Sequence, residues 1–449
     1  MEGGLKAPVR HPIDYENPDF HDPEKLDAEM RRVFDICHGC RRCFNLCDSF
    51  PRLFDLIDGS GSGELDTVDS ADFKPVIDAC TLCDMCFMVR CPYVPPHEFD
   101  LDFPHLVLRS RSAALAKGGV GFADRQLTKT DRNGKLAGAV SPLANWATDT
   151  RNGLTRPVFE IVAGVHRDAT IPKFHGKTFA KRAKSAPPEI NTDAPAFGRK
   201  AVIFATCFVN YNNPAIGTAA SHVLALNGVA TEVVYSGCCG MPQLEHGDYA
   251  DVAARARRTA AELGDWIDQG YDIIAPIPSC ALMFKFEWPL IVADDPAVRR
   301  LAEHTADITE YIVDIAANEG LADGLEPLAG SIVVHLACHA RAQNMGPKAV
   351  DMLKLIPDTE LTVIERCSGH GGSWGIKKDF FEVGLKVGKP VARQALKAEA
   401  KYLLSECPLA GEHIRQGMTR LTPDAPGALE ITESDHPIAL FARAYGLED

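Results

Sequence analysis

Eight of the fifteen cysteines in this 449-residue chain fall into two runs of matched spacing. The first is Cys37-x2-Cys40-x2-Cys43-x3-Cys47; the second is Cys80-x2-Cys83-x2-Cys86-x4-Cys91. Three thiolates two residues apart wrap one face of an iron–sulfur cubane, and in two-cluster proteins the fourth serves the other cluster. The spacing therefore assigns Cys37, Cys40, Cys43 and Cys91 to one [4Fe–4S] cluster, and Cys80, Cys83, Cys86 and Cys47 to a second. Structural zinc uses paired C-x2-C motifs and does not call for a third cysteine at the same interval, twice over. Two departures from the bacterial run leave every ligand in place: Asp48 stands where proline is usual, and one extra residue precedes Cys91.

The other seven cysteines end strand-like runs in the C-terminal half. KAVIFAT (200–206) leads to Cys207, TEVVYSG (231–237) to Cys238-Cys239-Gly240, and YDIIAPIPS (271–279) to Cys280. The pattern recurs as SIVVHLA before Cys338, LTVIER before Cys367 and KYLLSE before Cys407. The matched cysteines are offset by 131, 129 and 127 residues, the mark of an internal duplication. Strands alternating with helices predict a parallel sheet with crossover helices. The carboxyl ends of such strands line a ligand crevice, so each copy would gather distant thiols at one point.

These elements divide the chain into an N-terminal arm (1–22), an α-helical two-cluster ferredoxin-like module (23–104) and a helical or linker region (105–198). A first α/β cysteine-rich repeat (199–329) and a second (330–449) follow, with 288–329 expected to connect the copies through helices. The expected fold is thus multidomain, a ferredoxin-like module followed by a duplicated parallel-sheet domain. Asp22-Pro23 reads as a helix start, and the Gly- and Ser-rich stretch 58–70 as a loop. The basic run FHGKTFAKRAKS (174–185) reads first as solvated surface, and second as a dock for an acidic redox partner or an anionic membrane face.

The net charge of −14 argues against nucleic acid. No apolar run reaches the roughly 18 residues of a membrane span, and the N-terminus has no secretory apolar core. A cytoplasmic protein is expected, peripheral to the inner face of the membrane if it touches one, where disulfides are rare and metal binding is the first explanation for clustered cysteines.

The stretches CFVNYNNPAIG, SGCCGMP, HLACHARAQNMG, IERCSGHGGSWGIKK and SECPLAGEHI resemble the C subunit of anaerobic glycerol-3-phosphate dehydrogenase. The iron–sulfur subunits of heterodisulfide reductase and of glycolate and lactate oxidases are similar. A full repeat in that family carries five cysteines. Here Met283 takes the fifth position of the first copy, which keeps Cys207, Cys238, Cys239 and Cys280; Ser368 and Ala410 interrupt the second, which keeps Cys338, Cys367 and Cys407. Four thiolates suffice for an iron–sulfur or zinc centre. In the second copy His335, His339 and His370 are neighbours, with His339 and His370 the candidate metal ligands. No dinucleotide fingerprint is present. The resemblance implies an iron–sulfur electron-transfer protein. It would relay electrons between a redox partner, such as a flavoprotein dehydrogenase or a rubrerythrin-type peroxide-reducing system, and a quinone or second redox protein. Alternatives are a catalytic disulfide or heterodisulfide-type reductase using the repeat cysteines, and a non-catalytic iron–sulfur sensor or assembly protein.

Overall fold

The structure, a computed structural model, describes residues 8–422 and 434–447. The first seven residues of the arm, and 423–433 and 448–449 of the second repeat, lie outside the described residues. The chain is mostly helical, with two small parallel sheets.

In the first repeat, β1 (Lys200–Phe204), β2 (Ala230–Val234), β3 (Asp272–Ala275) and β4 (Thr305–Asp307) form one parallel sheet in the order β2-β1-β3-β4. β4 lies in the stretch expected to be helical. Its sequence, Thr-Ala-Asp, offers no apolar run, and pairing with β3 through Ile273↔Thr305 creates it. In the second repeat, β5 (Ile332–His335), β6 (Leu361–Ile364) and β7 (Tyr402–Ser405) form a sheet in the order β6-β5-β7.

The near-continuous apolar runs of β1 and β3 are explained by burial on both faces. Val202, Phe204, Ile273 and Ala275 pack into a core shared with the N-terminal helices, through Phe34, Phe54 and Val107. Ala201, Ile203 and Ile274 point the other way, into a core shared with Ile332, Val334 and Leu404 of the second repeat. The first sheet is thus the partition between the N-terminal helices and the second repeat.

Those N-terminal helices are Pro23–Cys40, Ser49–Asp58, Lys74–Ala79 and Phe103–Ala116. Asp22 caps the first, accepting from the Glu24 and Lys25 amides, with Pro23 at the position that needs no donor. Residues 103–163 form a succession of helices: Phe103–Ala116, Phe122–Leu127, Thr130–Ala139, Ser141–Thr148 and Thr155–Ala163. The following stretch, expected to be a linker, carries the helix Phe179–Ser185, whose Phe179 is fully buried against the first repeat. Gly217 makes room for that ring, since a Cβ there would lie 2.6 Å from it.

The arm packs as a strap rather than trailing free. Arg10, largely shielded from solvent, donates to Asp84 (2.7 and 3.1 Å), Asp102 (2.9 Å) and Glu287 (3.1 Å), and lies over the Phe87 ring at 4.3 Å. One guanidinium so joins the second cysteine motif to the first repeat. Ile13 N–H donates to Leu290 O (2.8 Å), and Tyr15 stacks on Tyr249.

Candidate metal centres

The eight N-terminal cysteines line two neighbouring cavities. Cys37 and Cys40, one turn apart at the end of the Pro23–Cys40 helix, meet Cys43 and Cys91 in an open cavity of about 450 Å³, counting solvent at its mouth. Cys47, Cys80 and Cys83 line a second, of about 270 Å³. Cys86, Phe50 and Phe103 border both. The two rings sit 4.7 Å apart and form much of the wall between the cavities.

Local backbone geometry places these thiols. Arg41, Leu82 and Asp84, each beside or between motif cysteines, adopt left-handed conformations (φ 52, 52 and 63°), so the chain winds around each cavity. The extra residue before Cys91 is absorbed in a π-turn, Cys86–Arg90, closed by Cys91 N–H donating to Cys86 O at 2.8 Å. A π-bulge is how a helix takes in one inserted residue.

Electrostatics group the thiols in the same way. Burial and the nearby Cys91 and Cys40 push Cys43 up to about 12. Burial, with Cys91, Cys43 and Cys40, raises Cys37. Burial, with Cys83 and Cys80, raises Cys47 against amide donation from Phe50 and Ser49. Thiols so placed stay protonated unless a cationic centre compensates them. The Leu82, Met85 and Tyr93 amides are directed at Cys80, Cys83 and Cys91. A soft, cysteine-only donor set in apolar cavities, with amides aimed at sulfur, fits an iron–sulfur cluster.

In the first repeat all four cysteines converge at the strand ends. Cys207 Sγ lies 3.8 Å from Cys238 Sγ, and Cys280 Sγ 3.2 Å from Cys239 Sγ. The contact with Cys207 favours thiolate at Cys238, while the same contact and burial raise Cys207. Sequence reasoning assigned no role to the residues that cover this site. Thr130 and Asp131, at the start of the Thr130–Ala139 helix, sit on it. The Thr130 hydroxyl faces Cys207 and Cys238. Asp131 accepts from Cys238 N–H (3.2 Å) and from the Tyr235 hydroxyl, with Arg255 beside it (3.5 Å). Below, fully buried Trp288 donates its Nε1–H to Cys239 O at 3.1 Å. No local signal marks Thr130 or Asp131, because both belong to a helix distant in sequence from the repeat.

In the second repeat Cys338, Cys367 and Cys407 are close enough for their charges to interact, and Cys83 of the second motif joins them. The Cys80–Asp84 loop is wedged at this junction. Arg111 donates to Cys80 O (2.6 Å) and Glu245 O (2.8 Å), and His339 Nε2 contacts Leu82 O (3.2 Å). His339 Nδ1 meets the Ser279 hydroxyl at 2.9 Å, so both its ring nitrogens are engaged. His335 is engaged likewise, by Ser405 and Arg366 O. His370 is buried edge-on to His413, and burial lowers it to about 3. Among the described residues, no three His, Cys, Asp or Glu side chains converge tightly enough to share a single metal ion; a cluster of several irons asks for wider spacing.

Two parallel-sheet units with thiols at the strand ends, related by duplication, define a tandem cysteine-rich protein. The family described as "Cysteine-rich domain" matches residues 201–285 and 332–414, one segment in each sheet unit. The chain is 25% identical over 322 residues to the C subunit of anaerobic glycerol-3-phosphate dehydrogenase from Escherichia coli (strain K12), spanning 71% of this chain and 76% of that one. It is 30% identical over 189 residues to "Lactate utilization protein A" of Bacillus pumilus (strain SAFR-032), spanning 40% of this chain and 75% of the relative. The chain belongs to the family of cysteine-rich-domain proteins that contains these relatives.

Proposed function

We propose that the protein is an iron–sulfur electron-transfer protein whose N-terminal helices form a two-cluster, ferredoxin-like module. Cys37, Cys40, Cys43 and Cys91 would hold one [4Fe–4S] cluster, and Cys80, Cys83, Cys86 and Cys47 the other. The observation that carries this reading is the sorting of eight cysteines into two adjacent cavities, each drawing on both motifs. Bound clusters supply one-electron oxidation and reduction. The chain's own contribution is to hold the thiolates, aim amides at their sulfurs and exclude water with Phe50 and Phe103. Cys207, Cys238, Cys239 and Cys280 would form the donor set of a further iron–sulfur centre, whose several irons suit their wider spacing. The wedged Cys80–Asp84 loop joins the second cavity to both repeats, a route for electrons between them. By likeness to a dehydrogenase subunit, the donor is a flavoprotein dehydrogenase and the acceptor a quinone or second redox protein.

Anaerobic iron analysis with low-temperature EPR on paired variants tests this. Cys91→Ser should remove the signal of the cluster held by the first motif and spare the other; Cys47→Ser should do the reverse. Zinc in place of iron, or both signals surviving in both variants, overturns the reading.

One observation favours a second reading, a disulfide-type reductase: the 3.2 Å approach of Cys239 and Cys280. In a single turnover of the pre-reduced protein the pair becomes a disulfide, passing two electrons and two protons to a substrate disulfide that becomes two thiols; the test is run on that single turnover. Cys280→Ser would abolish thiol release and Cys91→Ser would not; equal loss in both, or no thiol release by the unaltered protein, excludes it.

A further inference from the structure

The helices between residues 122 and 163 are built inside out. On Thr155–Ala163 and the residue before its first turn, Leu154, Val158, Ile161 and Val162 share one face and are 59–82% exposed. The opposite face buries Arg156 and Glu160. Arg156 donates to the carbonyls of Arg167 (2.8 Å), His166 (2.7 Å) and Ala169 (2.7 Å), and Glu160 accepts from Arg167. A helix facing water on its open side carries the reverse pattern. The two preceding helices continue the exposed apolar face: Leu136, Val140, Leu143 and Trp146 follow a helical spacing and are 52–64% exposed. These helices pack on one another in succession, so their apolar faces belong to one region of the surface. Scattered exposed apolar residues need no explanation; a concentration of this size does.

Charge sets the same region apart. Residues 117–185 hold thirteen Lys and Arg against five Asp and Glu, a local balance of +8 in a chain of −14. Exposed Lys129, Lys135, Lys177, Lys181 and Lys184 have no ion pair among the described residues. The basic run is stitched to the apolar helices: Asn145 donates to Phe174 O (2.9 Å) and accepts from Phe174 N–H (2.7 Å). Among the described residues no helix is long and apolar enough to cross a membrane.

We propose that the helical insert 122–163, with the basic segment 173–185 beside it, docks the protein flat on an anionic lipid bilayer. Its aliphatic side chains and Trp146 enter the headgroup boundary, and the lysines meet lipid phosphates. This is the pattern of interfacial helices that lie on a membrane without spanning it. An acidic protein partner would satisfy the lysines but not the outward row of Leu, Val and Ile. The remainder of the chain, strongly acidic, is repelled by the same surface and so sets the orientation.

The test is flotation of the full-length, anaerobically purified protein with vesicles of phosphatidylcholine, with and without half phosphatidylglycerol. Binding to the anionic vesicles, weakened by salt and weaker on neutral ones, is expected, with Trp146 quenched by brominated lipid. The variant Leu154→Ser/Val158→Ser/Ile161→Ser should bind at least about tenfold more weakly, with helical content and iron content unchanged. Lys177→Gln/Lys181→Gln/Lys184→Gln should lose the preference for anionic lipid, which a purely structural role would not alter. No binding to anionic vesicles, or equal binding by the apolar variant, overturns the proposal. If vesicles are ignored and the apolar variant changes the sedimentation of the protein alone, the face is a protein interface and the membrane reading fails.

Discussion

Replacing Arg10 with methionine should uncouple the strap from the body of the protein. The guanidinium is 10% exposed and faces three carboxylates, two of them, Asp84 and Glu287, 7% and 4% exposed. Methionine fills much of the same volume, over Phe87, but leaves those carboxylates buried without their cation. Breaking a buried pair from one side costs about 3–5 kcal/mol, a large share of the ~5–15 kcal/mol that holds a typical protein folded. The acid limb gives a second measure. Burial would raise Glu287, but His105 and Arg10 bring it down to about 2 from its ordinary 4.5. A folded value below the unfolded one means stability that is present above pH 4.5 and lost as pH falls from 4.5 toward 2. That depression amounts to about 3 kcal/mol at most, in line with the low end of the first figure. Urea unfolding of Arg10→Met, Glu287→Gln and the double variant forms a cycle, with the emission of fully buried Trp288 beside Glu287 as reporter. Arg10→Met should lower stability at neutral pH by about 3 kcal/mol or more. Because Glu287 loses one of the two cations that hold it down, the further loss between pH 4.5 and 2 should be smaller than in the unaltered protein. Glu287→Gln should recover part of the deficit. A loss under ~0.5 kcal/mol, the scale of an ordinary surface change, or an undiminished acid limb refutes the reasoning.

Deleting Val89, which is exposed, should turn the π-turn before Cys91 into an ordinary α-turn; iron content should hold, whereas inserting alanine after Val89 should lower it, as read by iron-to-protein ratio. Gly217→Ala should cost about 1–3 kcal/mol and expose the Phe179–Ser185 helix to protease, because the new methyl meets the Phe179 ring. Trp288→Phe leaves Cys239 O without its donor and should cost about 1–3 kcal/mol in thermal or urea unfolding. Asp131→Ala should cost a similar amount and change the spectrum of any metal loaded on Cys207 and Cys238, since it strips partners from Tyr235 and the Cys238 amide.

What sequence reading could reach was decided by how local the signal is. Strands β1, β3 and β5 announce themselves as β-branched runs, and β7 as a short apolar one, each followed by a cysteine, because both faces of each sheet are covered. β4 has only three residues and exists through its neighbour. The helices of 122–163 resist placement because their apolar stripe turns away from the core, so periodicity points to a face with no partner among the described residues. Of the side chains around the first repeat's thiols, the cysteines were legible by spacing. Thr130 and Asp131 were not, since a helix 77 residues upstream of Cys207 brings them there. Arg10 was equally hidden: its partners lie 74, 92 and 277 positions away.

That last interval has a consequence for biosynthesis. Arg10 leaves the ribosome 277 residues ahead of Glu287, which at about 5–20 residues per second is a delay of about 14–55 s. Through that interval the loop bearing Cys83 and Asp84 exists without the surfaces that will later clamp it. Closure of the strap is therefore a late event, timed by synthesis of the first repeat, and whatever must reach the second cavity finds it most open before then.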